Sequence, residues 1–289
     1  MSITHATPPP GGTPPDPGGT PRIHVVWLDW DTEYLPWAEG KLRHVSPSWT
    51  TERVRLPPPW APGAHWALIG PTGEGKSTHA VGLLRLRKWV LALDPKGEDD
   101  TLQASGWQRI TSLPPPRRMQ KDVQEGKPMR LLVGGQARTD QEDIALQKLM
   151  RDGITYCRHS GGWTLYVDEF ELLSSQRMFK LGPNIERMLI TARRDKTSVV
   201  TSFQAAAWVS KHATRQATYA TMWPTRDRNM VKAVAEAMGR DWRSVAAAID
   251  LLPPFHTLTI PKQIRAPMLI TSAPKITGSR QTEPGPSSQ

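Results

Sequence analysis

The stretch Gly70-Pro71-Thr72-Gly73-Glu74-Gly75-Lys76-Ser77 carries the spacing G-x-x-x-x-G-K-S. It follows an apolar run, HWALIG (65–70), that reads as a buried strand, and it opens KSTHAVGLLRLRK (76–88), which reads as a helix. That context separates a phosphate-binding loop from a chance glycine-rich turn. Glycines let the backbone curl so that successive N–H groups converge on phosphate oxygens, and the helix N-terminus adds partial positive charge. Lys76 is expected on the β- and γ-phosphates of ATP, and the Ser77 hydroxyl on Mg²⁺. The N-K-x-D pattern that reads guanine is absent.

Working outward, Leu165-Tyr166-Val167-Asp168-Glu169 is an apolar strand whose end delivers two carboxylates. Downstream of a phosphate loop, Asp168 is expected in the Mg²⁺ shell and Glu169 is expected to orient and polarise the attacking water. A tandem acid favours hydrolysis over phosphoryl transfer to a small acceptor, which counts against a kinase. Next comes ARRDKTSVVTSFQ (192–204). Its strand, SVVTSF, is expected beside the strand carrying Asp168, with Gln204 at its end, sensing the γ-phosphate or holding the water. Arg193 and Arg194 stand just before that strand. They read equally well as helix-end cations favoured by the dipole and as groups reaching a neighbouring subunit's nucleotide.

Around these motifs the chain alternates strand-like and helix-like segments. WVLALD (89–94) and MRLLVG (129–134) read as strands, and DQEDIALQKLMRDGITYCRH (140–159), NIERMLITARR (184–194) and RNMVKAVAEAMG (228–239) as helices. Such alternation predicts an α/β domain with a mostly parallel sheet flanked by helices, over about residues 60–275. Residues 1–21 and 276–289 are Pro-, Gly- and Ser-rich and are expected to be disordered tails. Residues 22–59, with short apolar runs and Trp30, Trp37 and Trp49, read as a small N-terminal β-containing appendage. Leu132-Val133-Gly134-Gly135-Gln136 superficially matches the signature of transporter-type ATPases. It lacks the serine at Val133 and ends a strand rather than starting a helix, so it reads as a strand running into a glycine turn.

Composition narrows the partners. Thirty-seven Lys and Arg against 27 Asp and Glu leave a net charge of +10, which suits a polyanion, nucleic acid before acidic lipid. The single cysteine, Cys157, excludes an internal disulfide framework and reads as a small buried residue. No run of apolar residues is long enough to span a bilayer. The expected location is the cytoplasm, of the host if the gene is viral, or the virion.

Taken in order, these motifs resemble the FtsK–HerA superfamily of DNA-pumping ATPases, over roughly residues 64–272. GPTGEGKST (70–78), which adds Thr78 to the nucleotide-binding set, is similar to its Walker A motif, and LYVDEF (165–170) to its Walker B. LALDPKGE (91–98) is similar to its second core strand, Asp94-Pro95-Lys96-Gly97 being especially like the conjugative coupling proteins. An arginine before a strand ending in glutamine fits Arg193 to Gln204, with Arg193 ahead of Arg194 as arginine finger. ATRQATYATMWPTRDRNMVKAVAEAMG (213–239) and LPPFHTLTI (252–260) resemble its final strand and helix and its closing hairpin. The resemblance implies a RecA-like P-loop NTPase, assembly as a homo-hexamer, and ATP hydrolysis at subunit interfaces that moves double-stranded DNA without regard to sequence. The lack of a membrane span and of a DNA-reading C-terminal domain favours genome packaging or mobile-element transfer, with a capsid or DNA-transfer machinery as partner. Lys96, Arg117, Arg118 and Lys121 are candidate DNA contacts by local charge. The alternative is an ATP-dependent switch or assembly protein that docks a protein partner through residues 22–56.

Overall fold

A computed structural model of the chain describes residues 25–27, 60–97, 99–204, 211–252, 256–262 and 268–272. Strands form mostly where short apolar runs are buried, as in Trp66–Ile69 and Thr164–Val167. They are β1 (Val25–Trp27), β2 (Trp66–Ile69), β3 (Trp89–Asp94), β4 (Gln108–Arg109), β5 (Met129–Gly134), β6 (Thr164–Val167), β7 (Ser198–Phe203), β8 (Tyr219–Met222), β9 (His256–Pro261) and β10 (Leu269–Ser272). The helices are α1 (Lys76–Leu84), α2 (Asp100–Gln103), α3 (Pro116–Gln124), α4 (Asp140–Ser160), α5 (Phe170–Ser174), α6 (Gly182–Thr191), α7 (Lys211–Gln216), α8 (Arg228–Ala237) and α9 (Trp242–Asp250).

All ten strands join one sheet in the order β1-β10-β9-β8-β2-β7-β6-β3-β5-β4. From β8 to β4 every neighbour pair is parallel, whereas β9, β10 and β1 add antiparallel pairs at the other margin. Successive strand residues face opposite layers, as the pleat requires. Trp66, Leu68, Val90 and Ala92 pack with Ala80, Leu83 and Leu84 of α1, while Ala67, Ile69, Leu91 and Leu93 pack with apolar residues of α4, α6, α8 and α9. Helices therefore cover both faces, as expected of a parallel sheet. Cys157 is fully buried in α4 within the second of these layers.

Most strands match the sequence reading; the segment 252–260, expected to hold the closing hairpin, supplies only β9, which pairs antiparallel with β10 further along the chain. Of the segment 22–59, β1 is described and pairs with β10, and the rest lies outside the described residues, as do both tails. Helix α1 stops at Leu84, four residues before the expected end. The chain there tightens into a turn, with Leu86 N donating to Leu83 O at 3.1 Å. Arg87 then lies over the Trp60 ring, 3.9 Å from its centroid. No helix among the described residues is long and apolar enough to cross a membrane.

Candidate nucleotide-binding site

Four neighbouring parallel strands, β2, β7, β6 and β3, end along one edge of the sheet. Their ends carry, in that order, the phosphate loop, Gln204, Asp168 with Glu169, and Asp94 with Lys96. The strand order converts residues scattered over more than a hundred positions into one row. A cavity of about 340 Å³ opens there, lined by Thr72, Gly73, Gly75, Lys76, Ser77, Thr78, Asp99, Asp100, Thr101, Asp168, Glu169 and Gln204.

The loop needs its glycines for different reasons. Gly70 is wedged against Trp223 at the end of β8, and a Cβ on it would meet the Trp223 Cβ at 2.7 Å. Gly73 and Gly75 adopt φ of 83° and 86°, the left-handed region that side chains rarely occupy. Pro71 offers its carbonyl to Lys76 Nζ at 2.6 Å, and Glu74 lies close enough to add negative potential at the same ammonium. Helix α1 starts with no side-chain cap and no acidic residue in its first turn. Its orphan N–H groups thus suit an external anion such as a phosphate.

Charge on the opposite wall is arranged around burial. Burial pushes the Lys76 ammonium below its ordinary range, against the pull of Asp168, Glu171, Glu169 and Glu74. Asp168 is pushed up to about 7, first by desolvation and then by the neighbouring Asp99, Asp94 and Glu169, while the Tyr166 hydroxyl, donating to Oδ1 at 2.8 Å, works the other way. Asp94 is raised by burial too. A carboxylate held at this cost of desolvation suits a cation. Among the described residues no cluster of His, Cys, Asp and Glu could hold a metal ion by itself. Ser77 and Asp168 both line the cavity, and their hydroxyl and carboxylate are oxygen donors of the kind that fit a hard divalent cation accompanied by nucleotide phosphates.

Glu169 leaves β6 with φ 45°, a left-handed conformation unusual for a non-glycine residue and typical of strained functional positions. Lys96 Nζ and Gln204 Nε2 each donate to its Oε1 at 2.7 Å. Gln204 N donates in turn to Glu171 Oε1 at 2.8 Å. Lys96, considered above as a DNA contact, is thus engaged with Glu169, 2.7 Å away. Tyr166, Asp99, Glu171 and Trp223 are members of the site that motif reading missed. Their signal was position alone: each lies within a few residues of a strand end at this edge.

Arg193 is not brought to this edge. It precedes the first residue of β7, and Nη2 donates to Gln216 O at 2.7 Å beside the start of β2. Arg194, 89% exposed, pairs with Asp195. Of the other cations considered for DNA, Arg117, Arg118 and Lys121 lie on α3. Arg118 pairs with Asp122, and Lys121 with Glu125, each four residues on. A larger cavity of about 550 Å³ near α3 and the start of β5, lined by Arg85, Arg118, Lys127 and Arg130 among others, is remote from the phosphate loop.

No protein-family model and no curated protein matches this chain. Among solved structures it is similar to the genome packaging NTPase B204 from Sulfolobus turreted icosahedral virus 2 in complex with AMPPCP. The identity is 17% and the TM-score 0.51, over 74% of this chain and 99% of that one. B204, the DNA-packaging ATPase from Sulfolobus turreted icosahedral virus, gives 18% and 0.51 over 75% and 100%. VirB4 of Thermoanaerobacter pseudethanolicus gives 11% and 0.50 over 74% and 90%. Likeness at these identities carries the fold, which is that of a RecA-like P-loop NTPase.

Proposed function

We propose that this chain is an ATP-hydrolysing motor of the FtsK–HerA type that moves double-stranded DNA, in packaging or transfer of a viral or mobile-element genome. The observation that carries the reading is the row of strand ends, in which the phosphate loop, Gln204 and Asp168 with Glu169 meet around one cavity and Lys96 reaches Glu169. The ordered motifs support the superfamily, and the solved neighbours named for packaging support the process.

In this reading the backbone N–H groups of residues 73–78 and the Lys76 ammonium bind the β- and γ-phosphates. Ser77 and Asp168 hold Mg²⁺, which when bound offsets charge on the phosphate oxygens. Glu169 orients a water toward the γ-phosphorus and accepts its proton as the bond to the bridging oxygen breaks, leaving ADP and phosphate. Gln204 holds the carboxylate of Glu169 in place. Arg193 acts on the nucleotide of a neighbouring subunit in a homo-hexamer, stabilising charge that develops in the transition state.

Hydrolysis of ATP by the full chain, measured with and without double-stranded DNA, tests this function. Stimulation by DNA of unrelated sequences, weakening steeply as salt rises, is the expected result. Hydrolysis indifferent to DNA, in a particle that stays monomeric with ATP and DNA present, would overturn the motor and favour a protein-directed switch.

A further inference from the structure

Lys96 stands on a turn held by its neighbours' groups. Asp94 Oδ1 accepts from Gly97 N at 2.8 Å, and Gln103 Nε2 donates to Gly97 O at 2.8 Å. The turn is pressed against the end of β5, so that a Cβ on Gly97 would lie 2.6 Å from Gly135 N. Because β3 and β6 are neighbours, this fixed turn delivers Lys96 beside Glu169. There the ammonium and the Gln204 amide both donate to one oxygen, Oε1, at 2.7 Å. A carboxylate oxygen has about two lone pairs, so two such donors occupy that oxygen and fix the orientation of the group.

We propose that Lys96 is a positioning residue that restrains Glu169, and that one of the two donors must leave Oε1 before that oxygen can engage the attacking water. The inference rests on the reading of Glu169 as the water-activating residue. The Lys96 side chain is 50% exposed and that of Glu169 18%, so the pair is screened by solvent and can open in every cycle. Gln204 is a neutral amide and stays on Glu169 when the ammonium is removed. The charged donor is therefore the one whose loss most loosens the carboxylate. A further consequence is that ATP turnover in the absence of DNA is held below what the rest of the site could support.

The test is steady-state ATP hydrolysis by the full chain without DNA, for the wild type, Lys96→Ala, Lys96→Arg and Glu169→Gln. Lys96→Ala should raise kcat about two- to fivefold, the range expected for an exposed ion pair, with KM for ATP changed by less than about twofold. Lys96→Arg, which still donates to Oε1, should stay near the wild type. A purely structural role for Lys96 would lower the melting temperature without raising kcat. If Lys96→Ala melts early, Lys96→Met keeps the aliphatic stem and carries the same expectation. Unchanged or slower turnover of Lys96→Ala beside an inactive Glu169→Gln would overturn the restraint alone. Near-normal turnover by Glu169→Gln would overturn both the restraint and the assignment of Glu169.

Discussion

His79 is fully buried on α1, its ring edge-on to Trp223 with centroids 5.4 Å apart, and its Nε2 has no hydrogen-bond partner among the described residues. Burial lowers its pKa from 6.5 to about 4. The folded protein therefore excludes a proton that the unfolded chain binds below about pH 6.5, and stability is lost as the pH falls from 6.5 toward 4. His65 shifts to about 4 by burial and by the nearby Arg193, and acts in the same direction. Urea unfolding at pH 7 and pH 4.5 should show that His79→Leu abolishes about 2–3 kcal/mol of the acid-side loss. An unchanged difference between the two pH values would mean that His79 titrates alike in the folded and the unfolded chain. At this scale the motifs were legible because their spacing is local: Lys76 and Ser77 follow their glycines, and Asp168 and Glu169 follow their strand. The contact between Lys96 and Glu169 was not, because it spans 73 positions and exists only once β3 lies next to β6.

The ends of β3 and β5 fit together through glycine. A Cβ on Gly134 would meet Asp94 O at 2.5 Å and Asp94 Cβ at 2.9 Å, so neither backbone could stay where it is. Gly135, by contrast, has only Arg109 Nη2 near its would-be Cβ, at an ordinary 3.7 Å. Gly134→Ala should therefore cost about 1–3 kcal/mol in denaturant unfolding, while Gly135→Ala should be close to neutral. Equal effects would show that the pair is merely a flexible turn. The strands WVLALD and MRLLVG were legible to the residue because each centres on an apolar run closed by a turn. Helix α9 was missed although Asp241 caps it, accepting from Ser244 N at 3.0 Å, and Val245, Ala246, Ala248 and Ile249 form its buried face. Its alanines are weak carriers of an amphipathic pattern. Helix α3 buries Met119 among charged neighbours, too little apolar spacing to mark a helix.

Across the whole molecule, Arg193 lies at the start of β7 and the phosphate loop at the far ends of the strands. A six-residue strand separates the two by roughly 20 Å. An arginine cannot bridge that span within one subunit, so a role in hydrolysis requires a second copy. Arg193→Ala should lose at least about tenfold in kcat while still binding ATP, and mixing it with Lys76→Ala subunits should recover part of the activity. Two inactive variants that stay inactive when mixed, at concentrations where the wild type assembles, would remove Arg193 from the shared site. The alternation of strands and helices made the layered α/β architecture legible, and β7 was expected beside β6, but its pairing with β2 on the other side was not, because strand order is set by crossovers rather than by local pattern.

At the antiparallel margin, the three-residue β1 lies outermost against β10, although the two are more than 240 positions apart in the chain. A short outer strand is one way in which proteins blunt an exposed sheet edge. Trimming the chain to begin at residue 60 would keep every residue of the phosphate site and yet strip the cover from β10. Its bared amides and carbonyls would then be a template for a strand of another molecule, so the shortened protein would trade solubility for simplicity.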